Sequence, residues 1–183
     1  MKRLYVILLA FVLSLQLVNA QISFDPGEGC LNVVDFSAGK GIGKSGSDDI
    51  SAHYLHERFI NEQFSVGAGV GYSYLNSYKF SAIPLYFSTH YFFLDRRFSP
   101  FVNLRAGAYW PIESKIMQLG ANLYVAPSAG LKMHITPHIG MLASVGYDGY
   151  LVKAFDSVKN DYQTKMESMV GICIGVCFQI PGW

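Results

Sequence analysis

Residues 64 to 76 read FSVGAGVGYSYLN. Phe64, Val66, Ala68, Val70, Tyr72 and Tyr74 share one parity, whereas Ser65, Gly67, Gly69, Gly71 and Ser73 share the other. Successive side chains on a strand point to opposite faces, so the stretch predicts a β-strand with one apolar, aromatic face and one face almost without side chains. A soluble β-sandwich also alternates, but it would bury the aliphatic face and leave the glycines and serines in water. Long strands of that kind make poor soluble edges. The apolar face is therefore expected to point outward, away from a narrow interior.

Seven further segments show the same habit, and together the eight lie at residues 31 to 42, 50 to 60, 63 to 75, 81 to 94, 99 to 110, 121 to 135, 138 to 150 and 166 to 178. No window has a convincing helical period. In the fifth segment Val102, Leu104, Ala106, Ala108 and Trp110 oppose Asn103, Arg105, Gly107 and Tyr109, and in the eighth Val170, Ile172, Ile174, Val176 and Phe178 oppose Gly171, Cys173, Gly175 and Cys177. The connections alternate too. Asn61-Glu62, Asp95-Arg96-Arg97 and Thr136-Pro137 are short polar turns, while residues 43 to 49, 76 to 79, 113 to 115 and 156 to 164 are longer loops. Short turns at one end and long loops at the other predict an all-β, eight-stranded, antiparallel up-and-down transmembrane β-barrel. Segments averaging about 13 residues are long enough for a tilted strand, which needs roughly 9 to 11, to cross a bilayer. Tyr72, Tyr74, Tyr78, Tyr109, Trp110, Tyr147 and Tyr150 are expected as a belt near the long loops, and Phe59, Phe64, Phe92, Phe93, Phe98, Phe101 and Phe178 as one near the turns.

Composition agrees with export. Lys2 and Arg3 precede an apolar run to residue 18, and Val18-Asn19-Ala20 has the form of a signal-peptidase site, which predicts a signal peptide at 1–20, cleavage after Ala20 and a barrel domain at 21–183. A lipid anchor would need a cysteine at the cleavage site, and Cys30 lies beyond it. Without Lys2 and Arg3 the 14 basic residues become 12 against 13 acidic ones, which gives no electrostatic basis for a nucleic-acid partner. Three cysteines, Cys30, Cys173 and Cys177, do not make a disulfide scaffold. Cys173 and Cys177 are about 13 Å apart along one strand and cannot bridge each other; Cys30 could approach Cys177 where the first and last strands meet, although parity places Cys30 on the outer side.

At this point the chain resembles the small OmpA/OmpX-like outer-membrane β-barrel family, the group labelled as an outer membrane protein β-barrel domain. The resemblance rests on VVDFSAGKG (33–41), FSVGAGVGYSYL (64–75), IPLYFSTHYFFLDRRFSPFVNLRAGAYW (83–110), APSAGLKM (126–133), SVGYDGY (144–150) and GICIGVCF (171–178). It implies an integral, monomeric protein of the cell outer membrane that contacts outer-membrane lipid and is inserted by the barrel assembly machinery, which would read Phe178 or Trp183 as the terminal aromatic. Members range from structural to adhesive or weakly pore-forming, so the extracellular partner stays open.

Motifs that suggest chemistry find little support around them. Ala38-Gly39-Lys40-Gly41-Ile42-Gly43-Lys44-Ser45 approaches a phosphate-binding loop, but Ala38 replaces the first glycine and a strand follows where a helix should begin. Ser88-Thr89-His90 suggests the nucleophile and base of a lipid-modifying barrel, yet His90 falls low on the descending fourth strand, far from an outer leaflet. His53/His56 and His134/His138 do not converge as ligands, since i and i+3 on a strand face apart and Thr136-Pro137 turns the chain between the second pair. No catalytic residue, metal ligand or cofactor is therefore expected. The informative charges are Asp35, Arg105 and Lys132, all on the small polar face in mid-strand. Buried charges are costly unless paired, so these three are expected to form a structural network in the lumen, joined by Asn103 or by Glu57, whose strand alternates ambiguously. The network would fill an interior too narrow for an open channel. The alternative is a narrow gated small-solute pore; a lipid-modifying enzyme and a soluble periplasmic binding barrel stand further off. Lys44, Lys79, Lys115, Lys153 and the 156 to 164 loop are the exposed candidates for an external ligand.

Overall fold

The computed structural model describes residues 29–42, 48–76, 80–94, 96–112, 122–156 and 161–180, with backbone alone for residues 80, 152–156 and 161–165. The signal-peptide reading and its cleavage site at Ala20, Tyr78, Lys44, Lys79, Lys115 and Trp183 lie outside the described residues. Eight strands follow one another: β1 (Cys30–Gly41), β2 (Asp49–Phe59), β3 (Phe64–Leu75), β4 (Phe80–Phe92), β5 (Phe98–Ile112), β6 (Asn122–His134), β7 (Ile139–Asp156) and β8 (Asp161–Ile180). Each pairs antiparallel with its neighbours, and β8 returns to β1 to close the barrel.

The short turns are built by side chains that imitate backbone. Asn61 Oδ1 accepts hydrogen bonds from the amides of Gln63 and Phe64, at 2.9 and 2.8 Å. Thr136 Oγ1 does the same for His138 and Ile139, at 3.3 and 3.0 Å. Small polar residues at such positions satisfy turn amides that no strand partner can reach.

The register fixes the shape. Crossing the ladder from Phe59 through Ser65, His90, Asn103, Ser128, Gly146, Gly171 and Gly39 returns to β2 at Asp49, ten residues from the start (59 to 49). Eight strands with that stagger lie at roughly 40° to the barrel axis, and ten residues at that tilt span roughly 25 Å of height. Two interruptions occur, both at prolines. Between β3 and β4 the pairing lapses from Val70↔Leu85 to Ser73↔Ala82, beside Pro84; between β6 and β7 it lapses from Val125↔Gly149 to Ser128↔Gly146, beside Pro127. Proline has no amide hydrogen to give the ladder.

The alternating faces resolve as the opening stretch implies. On β3 the valines and tyrosines point outward and the glycines and serines inward. Phe36, Phe87 and Ile172 expose 65, 78 and 62 % of their surface, whereas Asp35, Glu57 and Lys132 are buried in the interior.

Several expectations need correction. The two aromatic belts are only partly outward: Tyr72, Tyr74, Trp110, Phe93 and Phe178 are exposed, but Tyr109, Tyr150, Phe59, Phe92 and Phe101 are buried inside. Nearness to a strand end does not decide the side on which a residue lies; parity does. In the segment 156 to 164, read as a loop, the described residues 156 and 161–164 are strand, because the β7–β8 ladder continues to Asp156↔Asp161 and places Lys153 opposite Thr164. By contrast, Ala38 to Gly41 of the phosphate-loop-like motif belong to β1 and pair with β8, within the segment 31 to 42 read as strand. All three cysteines are free, with Cys30 opposite Ile180 and Cys177 opposite Val33.

Candidate functional site

The interior is the place where chemistry collects, and it fills in three levels from the short-turn end upward. At the bottom Phe59, Phe92 and Phe101 converge from β2, β4 and β5, with ring centroids 6.0 Å apart for Phe59–Phe92 and 5.9 Å for Phe92–Phe101. Lys132 reaches in from β6, its Nζ 4.8 Å from the Phe92 centroid and 5.8 Å from that of Phe59. An ammonium held over two ring faces gains electrostatic attraction where water is scarce. His90 stacks on Phe92 at 5.5 Å with the rings 6° from parallel.

Just above this floor Glu57 is fully buried and accepts from Ser65 Oγ at 2.5 Å and from His90 Nδ1 at 2.8 Å. Asn103 Nδ2 donates to Ser88 Oγ at 2.9 Å and to the Thr89 carbonyl at 3.0 Å, which uses both of its hydrogens. The hydrogen on His90 Nδ1 therefore belongs to the Glu57 bond. This histidine is tied to a carboxylate inside the barrel between two phenylalanines, not aimed at a lipid on the outside.

The middle level holds the Asp35–Arg105 pair. Arg105 Nη2 donates to Asp35 Oδ2 at 2.5 Å, with Nη1 3.5 Å from Oδ1. The guanidinium carbon lies 5.5 Å from the Tyr86 centroid, and His53 meets the same ring edge-on at 5.6 Å. Two glycines of β3 make this possible. A Cβ on Gly69 would come within 2.6 Å of Tyr86 Cε2, and one on Gly71 within 2.8 Å of His53 Cε1. The empty face of the opening stretch thus accommodates the Tyr86 and His53 rings, rather than Arg105 and Lys132 directly.

Near the long loops a layer of tyrosines crosses the interior. Tyr86–Tyr124, Tyr124–Tyr150 and Tyr109–Tyr150 have centroids 5.7, 5.0 and 5.2 Å apart. Three of the four hydroxyls are satisfied locally: Tyr124 donates to Asp148 at 3.0 Å, Tyr150 to Ser73 Oγ at 3.0 Å and Tyr109 to the Leu151 carbonyl at 3.1 Å, whereas the buried Tyr86 hydroxyl has no hydrogen-bond partner among the described residues. A small crevice lined by Ser37, Arg105, Ser128, Ser144, Asp148 and Cys173 lies below this layer, beside the Pro127 interruption.

The sequence-predicted residues therefore separate. Asp35 and Arg105 meet; Lys132 sits at the phenylalanine floor, and Glu57 and Asn103 belong to the His90 cluster between the two levels. Tyr86 and the Glu57–His90 bond were missed in the sequence. The ambiguity of β2 left the side of Glu57 open, because both of its faces carry polar residues, but pairing with the unambiguous β1 settles it: Asp35 faces His53, and Glu57 follows on the same side. Among the described residues no three His, Cys, Asp or Glu side chains converge as a metal site.

No protein-family model and no characterised sequence matches this chain. Solved structures do. Neisserial surface protein A superposes with a TM-score of 0.62 over 84 % of this chain and 98 % of its own, at 14 % identity. The outer membrane protein OprG of Pseudomonas aeruginosa gives 0.58 over 86 % and 98 %, at 10 % identity. The fold is that of the small outer-membrane β-barrels. AlkL, an outer membrane protein solved in lipid bilayers, gives 0.51 over 89 % of this chain and 96 % of its own, at 12 % identity. Identities this low carry the fold, and function has to be argued from the residues of this chain.

Proposed function

We propose that this chain is an integral outer-membrane β-barrel with a structural or surface-interaction role, no enzymatic activity and an interior filled by side chains rather than open as a channel. The observation that carries the reading is the inversion of polarity: a continuous belt of exposed Val, Ile, Leu and Phe surrounds a core that contains Asp35, Glu57, Arg105 and Lys132. Water would reject that outer surface, whereas a bilayer matches it. The floor of phenylalanines under Lys132 and the tyrosine layer favour a structural interior over a pore. An external partner would be met at the long-loop end.

The reading is tested by membrane fractionation together with gel migration before and after boiling. An outer-membrane barrel is expected to sediment with outer-membrane markers and to migrate differently once heated. Recovery as a soluble periplasmic protein would sink the assignment.

A further inference from the structure

The outward face is mostly apolar; among the described residues Lys40, Ser81 and Ser168 are polar near the long loops and Thr89 lower on β4, and a cluster of four polar residues lies on β1 and β2 near the short turns. Asn32, Tyr54, His56 and Arg58 all point outward, within two rungs of one another: Asn32 is opposite His56, Val34 opposite Tyr54 and Cys30 opposite Arg58. Tyr54 and His56 are exposed, as is Arg58. Ionisable and amide groups turned toward hydrocarbon are costly and are rarely retained there without a partner.

The geometry of this cluster says what kind of partner it suits. Asn32 Oδ1 accepts from Tyr54 OH at 3.0 Å and from His56 Nδ1 at 2.8 Å. An amide oxygen only accepts, so His56 Nδ1 carries a hydrogen, and two donors together saturate that oxygen. The Asn32 amide is thereby pinned with its oxygen turned to β2. What it presents otherwise is its NH2 group, and one rung nearer the turns stands the Arg58 guanidinium. The Asn32 oxygen is thus already used, and its NH2 group beside the Arg58 guanidinium makes a pair of donors that fits a ligand rich in anionic oxygen. The surroundings specify the rest of the ligand. Val34 and Phe36 continue upward on β1, flanked by Val176 and Ile174 of β8, all exposed. A molecule seated here would place its anionic group near the turn end and an apolar tail along the wall.

We propose that the outer face of β1 and β2 binds the phosphate headgroup of a membrane phospholipid in the leaflet nearer the short turns, through Asn32 and Arg58, with Tyr54 and His56 as positioning residues for Asn32. The proposal rests on the membrane reading above.

Native mass spectrometry of the folded, detergent-extracted protein with added dioleoyl phosphatidylglycerol tests it. The wild-type chain should retain one phospholipid, and Asn32→Ala with Arg58→Ala should reduce its occupancy by about tenfold or more, the loss of a charge-assisted contact. Arg58→Lys should restore part of it, and dioleoylglycerol, which has the tails without phosphate, should not be retained. Equal phosphatidylglycerol occupancy in wild type and double variant, equal retention of dioleoylglycerol, or displacement of the lipid by millimolar inorganic phosphate would overturn the site. Heat-dependent gel migration of the same preparations separates the two claims. A folded, inserted double variant with unchanged lipid defeats this proposal alone, while a wild-type chain that never enters vesicles defeats the membrane reading beneath it. Should the double variant not fold, Arg58→Gln by itself must lower occupancy for the site to stand.

Discussion

Gly69 and Val70 are neighbours in the chain with opposite tasks. A methyl group on Gly69 has no room beside the Tyr86 ring. Gly69→Ala is therefore expected to cost about 1–3 kcal/mol through overpacking, and Tyr86→Ala in the same chain should relieve most of that penalty. Urea unfolding in lipid vesicles measures both; additive losses would mean that the two residues do not crowd each other. Val70 faces outward, and Val70→Arg should oppose insertion by roughly 2 to 4 kcal/mol at mid-wall while leaving the interior intact. The Asp35–Arg105 pair makes a third contrast. Replacing Asp35 alone by Asn strands a guanidinium inside the barrel and should cost about 3–5 kcal/mol, whereas Asp35→Asn combined with Arg105→Met should cost markedly less than the sum of the single changes. Equal and additive effects in the same unfolding assay would show that the pair is not coupled.

At the scale of the strand, the two proline interruptions are where the ladder is weakest. Restoring an amide with Pro127→Ala should let β6 bond to β7 beside Tyr147 and slow hydrogen exchange from Val125 to Ser128, provided the local path of β6 is kept. Unchanged exchange there would place the cause of the interruption elsewhere. Most strands were legible because parity is local: the identity of every second residue in FSVGAGVGYSYL settles its two faces without reference to anything else. The length of β7 and β8 was not, because the polar residues between 151 and 166 resemble a loop, and their pairing is a property of two strands read together. The same limit separated Lys132 from Asp35 and Arg105. All three share an inward parity, but which inward residues stand at the same height depends on the ten-residue stagger, which no single strand contains. The outward cluster of Asn32, Tyr54 and His56 was hidden for the same reason, since only the β1–β2 register brings it together.

For the molecule as a whole, the filled interior predicts silence in planar bilayers. Wild-type protein should give no discrete conductance steps, and combined truncation of Tyr109, Tyr124, Tyr150, Phe59 and Phe92 to Ala should create them if the barrel persists; steps from the wild-type chain would contradict a closed interior. Closure itself bears on how quickly such a wall can form. Seven of its eight pairings join strands adjacent in sequence, but β1 and β8 meet between Cys30↔Ile180 and Gly41↔Met169, 150 and 128 positions apart. Bringing such distant ends together costs roughly 2 kcal/mol more chain entropy than closing a hairpin of about a dozen residues. Gly39, Gly171 and Gly175 lie along this junction, and a Cβ on Gly171 would approach Gly39 Cα to 2.9 Å. Bulk added there is expected to slow refolding into vesicles, followed by gel migration over time, so positions without side chains should set how long the chain stays an open sheet.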